Sequence, residues 1–247
     1  MKKHYLSIIA LTIIIISVST AFANGSSFHY QEYKAGSLPN NNVSKLKEKI
    51  LFIVDFSNSM NESLGSSRKI DVALQTLSSI LPKLNSNIYT GLRVYGHKNG
   101  FTPNQSCTAS ELVSPISQNN TQKISTKLSS LNAAGWTPIT YSLKKAVNSD
   151  FLGINGPKRI ILLSDGGENC DESPCDYAIK LMQTRDDIKI DVIAFTIDDA
   201  EANNQLKCAA LVTSGKFYTA NTAAELSKSL ERSLNMEKDV QGVIIKH

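Results

Sequence analysis

Histidine and tryptophan are scarce in this chain: its 247 residues include four histidines and one tryptophan. Only His97 falls in the stretch that reads as folded core, so no histidine triad for a metal and no evident general base is present. No Walker-type phosphate loop occurs, and no Gly-x-Ser-x-Gly elbow. Ser142-Leu143-Lys144-Lys145 matches Ser-x-x-Lys, but the companion motifs of that chemistry are missing. Strong charge of one sign is also lacking. The formal net charge is +4 and the lysines are spread out, which leaves no basic footprint for nucleic acid. Neither an internal repeat nor a long low-complexity segment is found.

Cysteine is sparse but even in number, at Cys107, Cys170, Cys175 and Cys208. Paired Cys-x-x-Cys elements are absent, so disulfides are favoured over zinc. That fits the first residues. Lys2 and Lys3 precede an almost unbroken apolar stretch from Tyr5 to Val18, and Ala21-Phe22-Ala23 supplies small residues before Asn24. Residues 1–23 therefore read as a secretory signal peptide, too short for a membrane span and cleaved rather than retained. The expected product is exported, periplasmic or secreted, with no stable membrane insertion after cleavage. Residues 24–46, polar and holding Leu38-Pro39-Asn40-Asn41-Asn42, read as an N-terminal arm or linker, and residues 236–247 as a tail.

Between them the pattern predicts one array of alternating strands and helices. Strands are expected over 49–55, 88–95, a short one around Leu112-Val113, 159–164, 188–197 and 216–219. The strand over 188–197 alternates in part and reads as a flanking position in the sheet. Helices are expected over 68–84, strained at its end by Pro82, then 122–131, 139–147, 177–184, 200–214 with Gly215 as its stop, and 222–234. Such alternation means a doubly wound, mostly parallel α/β sheet of six strands with helices on both faces.

Two apolar runs carry the chemistry. Ile50-Leu51-Phe52-Ile53-Val54 ends in Asp55-Phe56-Ser57-Asn58-Ser59, and Ile160-Ile161-Leu162-Leu163-Ser164 ends in Asp165-Gly166-Gly167. Ligands of open parallel sheets bind at the carboxyl ends of strands, where strand order reverses. Side-chain alternation lets Asp55, Ser57 and Ser59 converge there, while Thr137 brings a hydroxyl from another loop and Asp165 arrives from the fourth strand. Oxygen ligands of this kind suit a hard cation such as Mg2+ or Mn2+. A first shell rich in neutral hydroxyls leaves the ion under-compensated, so it favours an external carboxylate. Simpler roles exist for single residues: Asp55 as a helix cap, Ser57 and Ser59 as loop hydroxyls.

Taken together, Asp55-x-Ser57-x-Ser59, Thr137 in Gly135-x-Thr137-Pro138 and Asp165 in Ser164-Asp165-Gly166 resemble the metal-ion-dependent adhesion site of von Willebrand factor A domains. The resemblance extends over most of the chain, with the domain placed at residues 47–235. It implies a Rossmann-like sheet ordered 3-2-1-4-5-6 with the third strand antiparallel. It also implies a bound Mg2+ or Mn2+, and a protein partner that presents Asp or Glu. On that fold Ser57, Ser59 and Thr137 become hydroxyl ligands, while Asp55 and Asp165 act largely through water. The stretch from Asp165 through Cys208 further resembles secreted or periplasmic bacterial members.

With the fold so placed, Cys175 and Cys208 both stand near helix starts after neighbouring strands, which favours Cys175–Cys208 and leaves Cys107–Cys170. The local alternative, Cys170–Cys175, leaves Cys107–Cys208. Trp136 and Glu168 lie beside the site as candidate partner contacts, although Trp136 also suits a place under its loop and Glu168 an ordinary polar loop. Asp199 suits a cap for the following helix. A haloacid-dehalogenase-like phosphatase needs a second aspartate where Ser57 stands, so a non-catalytic interaction module is expected. The remaining alternative is a structural subunit of an envelope assembly that binds through another face.

Overall fold

A computed structural model describes residues 47–236. The expected signal segment and arm, and all but the first residue of the expected tail, lie outside them. In chain order the strands are β1 (Lys49–Asp55), β2 (Ser63–Leu64), β3 (Ser67–Arg68), β4 (Tyr89–Tyr95), β5 (Ser110–Ser117), β6 (Lys158–Ser164), β7 (Ile188–Phe195) and β8 (Phe217–Ala220). The helices are α1 (Lys69–Ile80), α2 (Pro103–Cys107), α3 (Thr121–Leu128), α4 (Ile139–Lys145), α5 (Pro174–Met182), α6 (Ala200–Val212) and α7 (Ala223–Ser233). Six strands form one sheet in the order β5-β4-β1-β6-β7-β8, while β2 and β3 make a separate hairpin. Only β5 runs antiparallel within the six-stranded sheet. This is the doubly wound order that the resemblance implies, and β1 and β6 flank its switch point.

Alternation along β1 explains why helices cover both faces. Ile50, Phe52 and Val54 join a cluster with Ile70, Leu77 and Ile80 of α1, Ile124 and Leu128 of α3, and Leu226 and Leu230 of α7. Leu51 and Ile53 point the other way, to Ile139 and Leu143 of α4, Leu181 of α5 and Leu206 of α6. A strand buried on both faces reads as a continuous apolar run, which is why β1 and β6 stand out in the sequence.

The elements differ from expectation where local chemistry overrides periodicity. Pro82 cannot donate to an α-helical ladder, so α1 stops at Ile80 and a single 3-10 turn, Leu81–Lys83, follows. The third strand of the sheet, β5, runs eight residues rather than two. It tolerates Pro115 because it lies at the edge and its pairing with β4 is irregular. The short helix α2 was not foreseen, although Thr102 accepts from Gln105 N and Pro103 sits at its start. The fifth strand of the sheet, β7, is interior, covered by β8. Its polar interruption at Asp191 is a buried lock: Asp191 accepts from Ser233 Oγ at 2.6 Å and from Lys216 N at 2.9 Å, with Arg159 Nη1 at 3.3 Å. Arg159 also reaches Glu48 at 2.9 Å and the carbonyl of Ser233, so the start of β1 and the end of α7 meet at one side chain.

Gly215 is not the left-handed cap expected for α6. The helix ends at Val212, and Ser214 takes the positive φ of 57°. Gly215 serves close approach instead, because a Cβ there would stand 2.0 Å from the carbonyl oxygen of Ile190. That neighbour is backbone and cannot rotate away. Gly215→Ala is therefore expected to cost about 3 kcal/mol, at the upper end for overpacking. Urea unfolding checks this, and a loss below about 1 kcal/mol would mean that the chain passes Ile190 with room to spare.

Candidate metal centre

At the carboxyl end of β1 the chain turns over the sheet edge. Phe56 and Met60 are fully buried in the α1 face of the core. These two anchors pin the loop, while Ser57 and Ser59 between them meet each other instead. Ser57 Oγ and Ser59 Oγ are 3.0 Å apart, and Ser59 Oγ donates to Asp165 Oδ1 at 2.7 Å. Two strand ends, β1 and β6, thus deliver three oxygens to one point.

Asp55 lies behind them without solvent contact. Its Oδ1 accepts from Ser57 N at 2.6 Å, and its Oδ2 from Ser164 Oγ at 2.7 Å and Tyr95 Oη at 2.9 Å. Burial and the nearby charge of Asp165 push the Asp55 carboxyl up to about 6, against the opposing pull of the Ser57 and Ser164 hydrogen bonds. Asp165 Oδ2 meets Lys69 Nζ at 3.0 Å, and Lys69 also binds Glu62 Oε2 at 2.7 Å. Burial pulls the Lys69 ammonium's pKa down, but its bonds to these carboxylates outweigh that and hold it above the ordinary lysine value.

Thr137 arrives on a loop stitched between β1 and β4. Asn58 N donates to Gly135 O at 2.9 Å, and Gly135 N to Gly96 O at 2.6 Å. Two glycines make this approach possible. A Cβ on Gly96, whose φ is +70°, would lie 2.6 Å from Ser57 N; one on Gly135 would lie 2.5 Å from Lys98 O. Thr137 itself is buried, and its N–H is fixed by Asn169 Oδ1 at 2.8 Å.

The rim is tied together covalently. Cys107 at the end of α2 is bonded to Cys170, and Cys175 in α5 to Cys208 in α6. Glu168, a candidate partner contact, turns both oxygens onto backbone, accepting from Thr140 N at 2.7 Å and Cys170 N at 3.0 Å. Trp136 remains 39 % exposed beside Thr137, and Phe101 is fully exposed on the loop after β4. Asp199 does cap α6, accepting from Ala202 N at 2.7 Å.

The donor set fits a small hard cation. Neighbouring oxygens of an octahedral shell with bonds of about 2.0–2.1 Å lie about 2.9 Å apart, whereas a Ca2+ shell spreads its oxygens wider. Ser57, Ser59 and Asp165 are linked here by hydrogen bonds of 3.0 and 2.7 Å, so hard oxygen donors are already gathered where such an ion would sit. Among the described residues, no group of three or more His, Cys, Asp or Glu side chains gathers to hold an ion, so hydroxyls would have to supply much of its shell. Sequence reasoning missed Tyr95, Ser164, Lys69 and Asn169, which hold the candidate ligands in place. A tyrosine and a serine in buried strands give no signal of their own. Lys69 alone does, as a cation at a helix start.

The comparisons agree with this architecture. The model for the von Willebrand factor type A domain matches residues 49–232. A Bacillus subtilis protein, YwmD, described as uncharacterized, is 28% identical over 187 residues, spanning 74% of this chain and 83% of that protein. Among solved structures, an aerotolerance-related membrane protein from Bacteroides fragilis aligns with a TM-score of 0.58 at 16% identity, over 77% of this chain and 100% of that one. Proximal thread matrix protein 1 from the mussel byssus, solved with a zinc-occupied MIDAS motif, aligns with a TM-score of 0.59 at 18% identity, over 77% of this chain and 45% of that one. The two likenesses to solved structures speak for the fold, and the family model speaks for descent: the chain belongs to the von Willebrand factor type A domain family.

Proposed function

We propose that this protein is an exported docking module whose binding face is built around Mg2+ or Mn2+ held by Asp55, Ser57, Ser59, Thr137 and Asp165. Domains of this family generally mediate protein interactions. The observation that carries the metal reading is the convergence of Ser57, Ser59 and Asp165 at the switch point, joined in a chain by contacts of 3.0 and 2.7 Å and backed by the buried carboxylate of Asp55. An ion bound there supplies an open coordination position for an Asp or Glu of a protein partner. Ser57, Ser59 and Thr137 act as hydroxyl ligands, and Asp55 and Asp165 hold the ion largely through water. The zinc of the mussel protein's MIDAS supports metal binding by this kind of site. Trp136, exposed beside Thr137, is the aromatic contact for the partner. Glu168 serves the same face from within, by fixing the loop that carries Cys170.

Export agrees with two disulfides in a chain of ordinary core size. Among the described residues no helix is long and apolar enough to cross a membrane.

Thermal unfolding in Mg2+ and Mn2+ tests the site. Ligand binding to the native state adds about 1.4 kcal/mol at roughly ten times Kd. The wild-type midpoint should rise with either ion, whereas Asp55→Asn and Thr137→Ala should remain folded and lose the rise. Full partner binding by these variants would move the docking face elsewhere on the domain.

A pH dependence follows from Asp55. Its folded pKa of about 6 lies above the unfolded value of about 3.9. Ion-free, the group's contribution to stability is full below about pH 4 and is lost as the pH rises through about 6. Ion binding needs the ionised carboxylate, so the metal-induced rise should be largest above about pH 6 and shrink below it. Melting with and without Mn2+ at pH ~5 and pH ~7.5 measures this, and an equal rise at both would take Asp55 out of the site.

A further inference from the structure

A lysine is poorly placed in the first turn of a helix, where the free N–H groups already carry partial positive charge. Lys69 nevertheless opens α1, and its side chain is only 11% exposed. A local rule broken at a functional edge calls for a compensating partner. Here one partner, Glu62, is brought back by the small β2–β3 hairpin, and the other, Asp165, stands at the end of β6. The hairpin's turn contains Gly65 with φ +64°, and it returns Lys69 to Glu62, so that Lys69 N donates to Glu62 O at 2.9 Å. The ammonium then spans Glu62 Oε2 at 2.7 Å and Asp165 Oδ2 at 3.0 Å. Asp165 therefore offers one oxygen to the Ser59 hydroxyl and the other to a resident cation.

We infer that Lys69 is a built-in counter-cation that limits the site's hold on its metal ion and raises the site's demand for an outside carboxylate. The inference rests on the metal reading above. Counted by formal charge, Asp55, Asp165 and Lys69 sum to a single net negative charge. A divalent ion reverses that to a single net positive charge, which a partner's carboxylate neutralises. Without the ammonium the two aspartates would balance the ion alone, and the outside carboxylate would gain little. Glu62 tempers the effect only weakly, since its side chain is 65% exposed and screened by water.

The test uses the full chain with Mn2+ and acetate as probes, following free Mn2+ by electron paramagnetic resonance. Lys69→Met should tighten Mn2+ binding about tenfold or more and weaken acetate binding to the Mn2+-loaded protein about threefold or more. Lys69→Arg, which keeps the charge, should stay near wild type. Glu62→Gln leaves the ammonium to Asp165 alone and removes a negative charge, so it should weaken Mn2+ binding about threefold. These opposite signs separate an electrostatic role from general damage to the loop. Unchanged or weaker Mn2+ binding in Lys69→Met, or unchanged acetate binding, overturns the inference while wild-type Mn2+ binding keeps the metal reading. If wild type and variant both ignore Mn2+, the two fall together. Should Lys69→Met fail to fold, Lys69→Gln, whose neutral amide can still hydrogen-bond Asp165 and Glu62, takes its place, and unchanged or weaker Mn2+ binding there overturns the inference.

Discussion

A carboxylate sealed at the end of a central strand has to find its hydrogen bonds inside the protein. Asp55 finds them on three different elements: the backbone of its own loop at Ser57, the hydroxyl of Tyr95 at the end of β4, and the hydroxyl of Ser164 at the end of β6. Tyr95 is paired with Asp55 in the β1–β4 register, and β6 runs beside β1 on the other side. A slip of either neighbour by one residue would turn its hydroxyl to the opposite face. The alignment of the three middle strands and the satisfaction of one buried charge are thus the same condition.

From that fixed point the rest of the site follows. The Asp55–Ser57 contact sets the direction in which the chain leaves β1, and Phe56 and Met60 hold that direction by burial. Gly96 and Gly135 then let a second loop come close enough to bond through its backbone, carrying Thr137 with it. The loop after β6 is secured three times over, by Asn169 on Thr137, by Glu168 on Thr140 and by the Cys107–Cys170 bond. Loops at a binding edge are usually the softest part of a domain. Here each is anchored to another loop as well as to the sheet.

The middle of the fold was legible because β1 and β6 are buried on both faces, and so are written as unbroken apolar runs. The candidate ligands were legible because hydroxyls and carboxylates at two strand ends form a pattern that no packing requirement explains. Weaker signals came from the margins. β5 lies at an edge and includes Pro115, so its alternation is diluted. The β2–β3 hairpin has strands of two residues each, too short to show any period, and with it the meeting of Glu62 and Lys69 stayed hidden. Partial alternation, to which Asp191 contributes, made β7 read as a flanking strand, although that carboxylate is taken up by Ser233, Arg159 and the backbone of Lys216. Gly215 resembled a helix stop, yet its function lies in the closeness of Ile190, a contact between segments 25 residues apart. In each case the deciding partner is distant in sequence.

Arg159 gives the domain a mechanical polarity. It gathers Glu48, where the chain enters β1, and Ser233, where α7 ends, at the pole opposite the carboxyl ends of β1 and β6. A force applied between that pole and the carboxyl end of β1 would run lengthwise along the strand and load its hydrogen bonds to β4 and β6 in shear, all at once rather than one by one.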